Sequence, residues 1–135
     1  MKKTMEAKEI VVESLIHIEW HIDEAINTQE LSQAMNCSSR YLNRIFYKVA
    51  GISLSKYIRL RILMEAKRRF SFHQSLPEVA QTLKYEPEEL LRSFRKEFGD
   101  SLFSLKELSL PYPLGRELIR KIMATGETEL KNSPC

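Results

Sequence analysis

Apolar positions recur at helical spacing along most of the chain. Val11, Val12, Leu15, Ile18 and Ile22 step through the first stretch and predict a helix from Glu6 to Asp23. A shorter one follows, opened by Asn27, with Glu30 completing a capping box and Leu31, Ala34 and Met35 facing inward. Ser38 starts the next, whose inner positions Leu42, Ile45, Phe46 and Val49 fall at i, i+3, i+4 and i+7. Gly51 stops it where a left-handed residue belongs. Ser53 then caps a long helix to Phe70, with Leu54, Tyr57, Ile58, Leu63 and Ala66 on its apolar side. Beyond it, Ser75 and Glu78 form a second box, with Pro77 tolerated in the opening turn and Val79, Ala80 and Leu83 inward. Leu90, Leu91, Phe94 and Phe98 make the next inner face, closed by Gly99. Leu110-Pro111-Tyr112-Pro113 breaks the chain. Leu114, Leu118, Ile122 and Met123 then mark a last amphipathic helix to Ala124, with Arg116, Arg120 and Lys121 opposite. It is expected to cover the core of the helix pair just before it, with a partner surface as the alternative, and polar Thr125–Cys135 is expected to fray. No run of alternating β-branched residues suggests a strand, so the predicted class is all-α.

The pattern is duplicated. Shifting the sequence by 48 positions aligns Glu30–Leu54 with Glu78–Leu102 without a gap, and nine of the 25 pairs are identical. Chance would give roughly one or two identities, from ordinary residue frequencies. The identities include Leu42/Leu90, Arg44/Arg92, Phe46/Phe94, Lys48/Lys96 and Gly51/Gly99. Each copy reads helix, tight turn, helix, with Asn36-Cys37-Ser38 and Lys84-Tyr85-Glu86 as the turns. Two short helices joined this way, the second exposing basic residues, are the arrangement that lays a helix in a DNA major groove. The predicted organisation is a helix-turn-helix module over 1–52, a linker helix over 53–70, a second module over 71–108 and an extension over 109–135. A linker of ~17 residues at ~1.5 Å each spans ~25 Å, which with the two modules' radii approaches the ~34 Å repeat of B-DNA.

Charge sharpens this picture. The 135 residues carry a net +3. Between Asn36 and Phe70 stand nine basic residues (Arg40, Arg44, Lys48, Lys56, Arg59, Arg61, Lys67, Arg68 and Arg69) against Glu65 alone, a local +8 that leaves −5 for the rest. A basic stripe on an otherwise acidic chain is the footprint of a polyanion partner. A 43% hydrophobic content is enough for a core, and no signal-peptide or membrane-spanning run is present, so a cytoplasmic protein with no membrane partner is expected. Cys37 and Cys135 read as reduced thiols, Cys37 as filler of the turn rather than a redox switch. His17 and His21 have chelating spacing, but no further ligands complete a site, so a surface pair is the preferred interpretation. Trp20 is expected at a partly covered edge. No nucleophile–base pairing, phosphate-cradling loop or catalytic motif occurs. The expectation is a non-enzyme without cofactor or bound effector.

Three stretches carry a family resemblance: Ser38-Ser39-Arg40-Tyr41-Leu42-Asn43-Arg44-Ile45-Phe46, Gly51-Ile52-Ser53-Leu54-Ser55-Lys56-Tyr57-Ile58-Arg59-Leu60-Arg61, and Arg92-Ser93-Phe94-Arg95-Lys96-Glu97-Phe98-Gly99. From Ile10 to Leu108 the chain resembles the DNA-binding region of the AraC/XylS family of bacterial regulators, and its length is similar to the stand-alone MarA/SoxS/Rob type. The resemblance implies a transcription regulator, commonly an activator, bound as a monomer to asymmetric double-stranded DNA and contacting RNA polymerase. The expected DNA-binding set is Ser39, Arg40, Tyr41, Asn43, Arg44, Lys48, Lys56, Arg59, Arg61, Arg92, Arg95 and Lys96. The chain also departs from the family. Arg40 and Asn43 stand where an aromatic and a glutamine are usual, and both can still read bases, Arg from guanine and Asn from adenine. In the second copy Pro87, Glu88, Glu89 and Leu91 replace Ser39, Arg40, Tyr41 and Asn43, and Lys84 stands where the family has a turn glycine. An asymmetric reader is therefore expected: the first module specifies, while the second positions through Arg92, Arg95 and Lys96 or serves a protein partner. The competing expectations are a protein-interaction adapter or anti-activator with weak or no specific DNA reading, and a non-specific nucleoid-type binder.

Overall fold

Four of the predicted helix starts are closed by the side chain their sequence offers. Asn27 Oδ1 accepts the Glu30 backbone N–H at 2.7 Å, Ser38 Oγ that of Tyr41 at 3.1 Å, Ser53 Oγ that of Lys56 at 3.3 Å and Ser75 Oγ that of Glu78 at 3.3 Å. The Ser75 hydroxyl in turn donates to the Glu78 carboxylate at 3.0 Å. Caps of this kind stabilise a helix start by roughly 1 kcal/mol each. In a computed structural model describing residues 6–71, 74–104 and 113–124 they open α2 (Thr28–Ala34), α3 (Ser39–Ala50), α4 (Leu54–Ser71) and α5 (Leu76–Leu83). The remaining helices are α1 (Ala7–Trp20), α6 (Pro87–Phe98) and α7 (Gly115–Ala124), and the described residues contain no strand. Gly51 and Gly99 end α3 and α6 at φ of 78° and 69°, a region L side chains enter only with strain. The turns inside the two copies match as well, Asn36 and Lys84 both adopting left-handed backbone, at φ of 58° and 65°. Lysine holds that shape at a cost of order 1–2 kcal/mol.

Two apolar cores sit along α4. The first gathers Val11, Leu15 and Ile18 of α1, Leu31 of α2, Leu42, Ile45 and Phe46 of α3 and Leu54, Tyr57 and Ile58 of α4. The second gathers Leu63 and Ala66 of α4, Val79, Ala80 and Leu83 of α5, Leu90 and Phe94 of α6, and Leu102 beyond it. Ile62 and Phe98 pack against both cores and form the joint between them.

Five details differ from the sequence expectations, among them Met123, which was expected on the inner side of α7 but is 63% exposed. Helix α1 stops at Trp20, three residues before Asp23, because the His21 backbone bends to φ −115° while its N–H still reaches the carbonyls of His17 and Ile18. Trp20 is 82% exposed rather than edge-covered. On α2, Ala34 faces solvent and Ser32 takes the inner place. Ser32 can do so because its hydroxyl donates to Gln29 O at 2.8 Å and lies 3.1 Å from Ser39 Oγ, which ties α2 to α3. Finally, α7 covers the first core, not the second. Leu118 and Ile122 join that cluster, and the Gly115 N–H donates to the buried Tyr57 hydroxyl at 2.8 Å. Burial pushes the Tyr57 phenol up to about 12, so the hydroxyl stays neutral there.

Candidate nucleic-acid interface

Helices α3 and α6 are the corresponding helices of the two copies of the 48-residue repeat. On α3, Leu42, Ile45 and Phe46 are buried, so 100° per residue turns Arg40, Asn43, Arg44, Tyr47 and Lys48 to the opposite side, and all five are exposed. Ser39 and Tyr41 are half-buried supports: Ser39 meets Ser32, and the Arg44 guanidinium lies 5.2 Å from the centre of the Tyr41 ring. That stacking holds the guanidinium over a flat surface and restricts its rotamers. Tyr47, 62% exposed, is a member of the outward face missing from the sequence-derived set. Its spacing from Arg40 and Arg44, i+7 and i+3, was the available signal.

On α6 the buried residues are Leu90 and Phe94, and Glu88, Glu89, Arg92, Arg95 and Lys96 are exposed. Glu88 and Glu89 occupy the first turn, where the helix dipole favours negative charge, and no side chain caps this helix. The outward face of α3 therefore presents three cations and no carboxylate, whereas that of α6 presents three cations and two carboxylates. Leu91, which replaces Asn43 by the repeat, is half-buried and packs on the second core.

The basic stripe does not stay on one surface. Arg59 Nε donates to Glu97 at 2.8 Å. Arg61 donates to both Glu19 oxygens at 2.7 and 2.8 Å and to Glu65 at 3.3 Å, its side chain only 17% exposed. Arg61 thus leaves the outward set in which its sequence position placed it, because carboxylates from α1 and α4 occupy its fork. Arg68 and Arg69 converge on Glu65 at 3.1 and 3.0 Å, Arg69 also pairs with Asp23, and Lys67 donates to the carbonyls of Leu102, at 3.0 Å, and of Ser104. Burial pushes the Glu65 carboxyl up, but the Arg68 hydrogen bond and the charges of Arg61, Arg68 and Arg69 outweigh it and hold it below its ordinary value. These groups line a cleft of about 630 Å³ with Leu114, Gly115 and Arg116, and much of its charge is already paired internally. Of the nine stripe residues, Arg40, Arg44, Lys48 and Lys56 remain turned to solvent without an ion pair among the described residues.

Cys37 is half-buried, and burial pushes its thiol up, opposite to what an activated thiolate requires. The His17 and His21 rings stack at 4.2 Å, and His21 Nδ1 pairs with Glu24. No group of three or more potential metal ligands occurs among the described residues, and no helix there is long and apolar enough to cross a membrane.

A family profile described as a helix-turn-helix domain matches residues 31–105, from α2 past the end of α6. The chain is 31% identical over 91 residues to the regulatory protein SoxS of Salmonella typhimurium, covering 65% of this chain and 85% of that one. It is 29% identical over 97 residues to the HTH-type transcriptional activator AarP of Providencia stuartii, covering 72% and 70%. The HTH-type transcriptional regulator YbfP of Bacillus subtilis is 31% identical over 81 residues, and there the match takes in 58% of this chain but 28% of the relative.

Proposed function

This chain belongs to the AraC/XylS-type helix-turn-helix family, and from that premise we propose that it is a sequence-specific activator of transcription whose first module does most of the base reading. Helix α3 enters a major groove with Arg40 and Asn43 toward base edges, Arg as a bidentate donor to guanine and Asn to adenine. Arg44, stacked on Tyr41, is the second guanine reader. Ser39, at the helix start, and Lys48 approach phosphates, and Lys56 at the start of α4 does the same. Helix α6 lies over the next groove and positions the protein through Arg92, Arg95 and Lys96 rather than by reading bases. Two modules in one chain supply two half-sites, so a monomer suffices, and RNA polymerase is the expected protein partner of an activator bound this way.

The observation that carries this reading is the outward face of α3: three guanidinium or ammonium groups, one amide and one phenol, with no carboxylate among them. Cations left without ion pairs on a helix that buries its other side are free to exchange counterions for phosphate. The experiment is selection of binding sites from random duplex DNA. Enrichment of a sharp motif with its most constrained bases in one half-site supports the proposal, and a flat pool means non-specific binding. Glu88 and Glu89, exposed where α3 has Arg40 and Tyr41, favour a second reading in which α6 serves a protein partner. Failure to retain any duplex would favour that adapter role.

A further inference from the structure

The ion pair between Arg59 and Glu97 stands where the repeat breaks its own rule. By the 48-residue shift, Glu97 and Phe98 correspond to Val49 and Ala50. In the first copy both residues are half-buried and pack on the first core. In the second copy a carboxylate and a large ring replace them. Phe98 touches both cores, and Glu97, its side chain only 14% exposed, accepts Arg59 Nε at 2.8 Å across 38 positions of sequence. Both departures therefore sit at the joint between the lobes.

We propose that Arg59 and Glu97 are positioning residues that fix the orientation of α6 relative to α3, and that Arg59 serves this joint rather than a DNA phosphate. The inference rests on the DNA-reading function proposed above. Its physical basis is a division of labour. The Ile62 and Phe98 contacts hold the lobes together, but apolar contact is non-directional and leaves rotation about α4 soft. A charge-assisted hydrogen bond has a preferred line of approach and supplies the missing angular restraint. A guanidinium whose Nε is already held by a carboxylate is also a poorer phosphate clamp, because its charge is partly neutralised.

The test uses the full chain with two duplexes, one carrying both selected half-sites and one carrying only the half-site of the first module. Arg59→Gln and Glu97→Gln should each weaken the two-site duplex by up to about fivefold, the upper end expected for one partly exposed pair, and leave the one-site duplex nearly unchanged. The swap Arg59→Glu with Glu97→Arg should restore most of the loss. A phosphate-binding Arg59 predicts the reverse: Glu97→Gln would free the guanidinium and tighten binding, and the swap would be no better than Arg59→Glu alone. Either result overturns the proposal. A second measurement needs no DNA. With Cys37→Ser and Cys135→Ser, spin labels at Lys48→Cys and Lys96→Cys report the distance between α3 and α6. The distribution should broaden with Glu97→Gln and narrow again in the swap; an unchanged distribution overturns the joint. If the labels respond but the wild-type chain retains no duplex, the DNA-reading function falls and the joint stands.

Discussion

Helices α3 and α6 are both 12 residues long and bury corresponding side chains, Leu42 with Leu90 and Phe46 with Phe94, each completely. Their outer faces have parted. Where α3 offers Arg40 and Tyr41, α6 offers Glu88 and Glu89; where α3 offers Tyr47, α6 offers Arg95. Their openings differ too. Ser38 caps α3 with its hydroxyl, whereas α6 has Glu86 in that place with no side-chain bond, followed by Pro87. Glu88 and Glu89 compensate locally, since carboxylates in a first turn stabilise a helix by about 0.3–1 kcal/mol each. The inner positions are held by close packing, which resists change of even one methylene, while the outer ones answer only to solvent and partner. A duplicated fold can thus keep its inner faces and retune one outer face at little structural cost.

The largest expected effect tests whether the two halves are separate. Phe46→Ala and Phe94→Ala should each cost about 3–5 kcal/mol. Hydrogen exchange should show Phe94→Ala loosening α5 and α6 while amides of α1 and α3 keep their protection. Loss of protection everywhere in one step would mean that the two cores melt as a unit.

Next comes base reading. Arg40→Ala should weaken the selected site by ~1–3 kcal/mol and relax base choice at one position, while Arg92→Ala weakens all sequences alike. Equal losses for Arg40→Ala on selected and random duplexes would reduce α3 to a phosphate binder and erase the contrast.

The acidic pair gives a smaller change of opposite sign. Glu88→Gln with Glu89→Thr should tighten binding severalfold at low salt and less as salt screens the repulsion, on the order of a Debye length of ~10 Å at 0.1 M. Fluorescence titration at two ionic strengths measures it. Weaker binding with lost preference in the second half-site would make one glutamate a reader of cytosine and α6 a true reader.

Subtler still is the split within the basic stripe. Lys56→Gln should shallow the slope of log K against log salt by about 1, whereas Arg61→Gln should leave that slope alone and lower the melting temperature instead. Identical slopes for both variants would place α4 differently against the duplex.

The smallest effect is in acid. Glu65 titrates below its ordinary value when folded, so its contribution is complete above the unfolded carboxylate pKa of about 4.3 and is lost as pH falls through the folded value. Glu65→Gln should flatten that part of the stability profile in a pH series of thermal melts.

The all-α class, the repeat, the four side-chain caps, both terminal glycines and the inner faces of α3, α5 and α6 were legible in the sequence. Helix periodicity and capping act over three or four residues, so they are written locally. Lys84 shows how far this reaches: alignment with Asn36 and the family's turn glycine at that place pointed to a left-handed turn there, against its own preference. Tyr47 was legible too, at i+7 from Arg40, but it was not included in the expected set.

What only the tertiary structure decided is which cations face outward and where α7 lies. Arg59, Arg61 and Arg69 read as part of a continuous basic stripe, yet their partners Glu97, Glu19 and Asp23 stand 38, 42 and 46 positions away. The Tyr57 hydroxyl that receives α7 is 58 positions from Gly115. No local pattern encodes such pairings. They exist because the packing of α1, α4, α6 and α7 brings distant charges and dipoles within hydrogen-bonding reach, and a buried or half-buried ion keeps its charge only where a partner is already waiting.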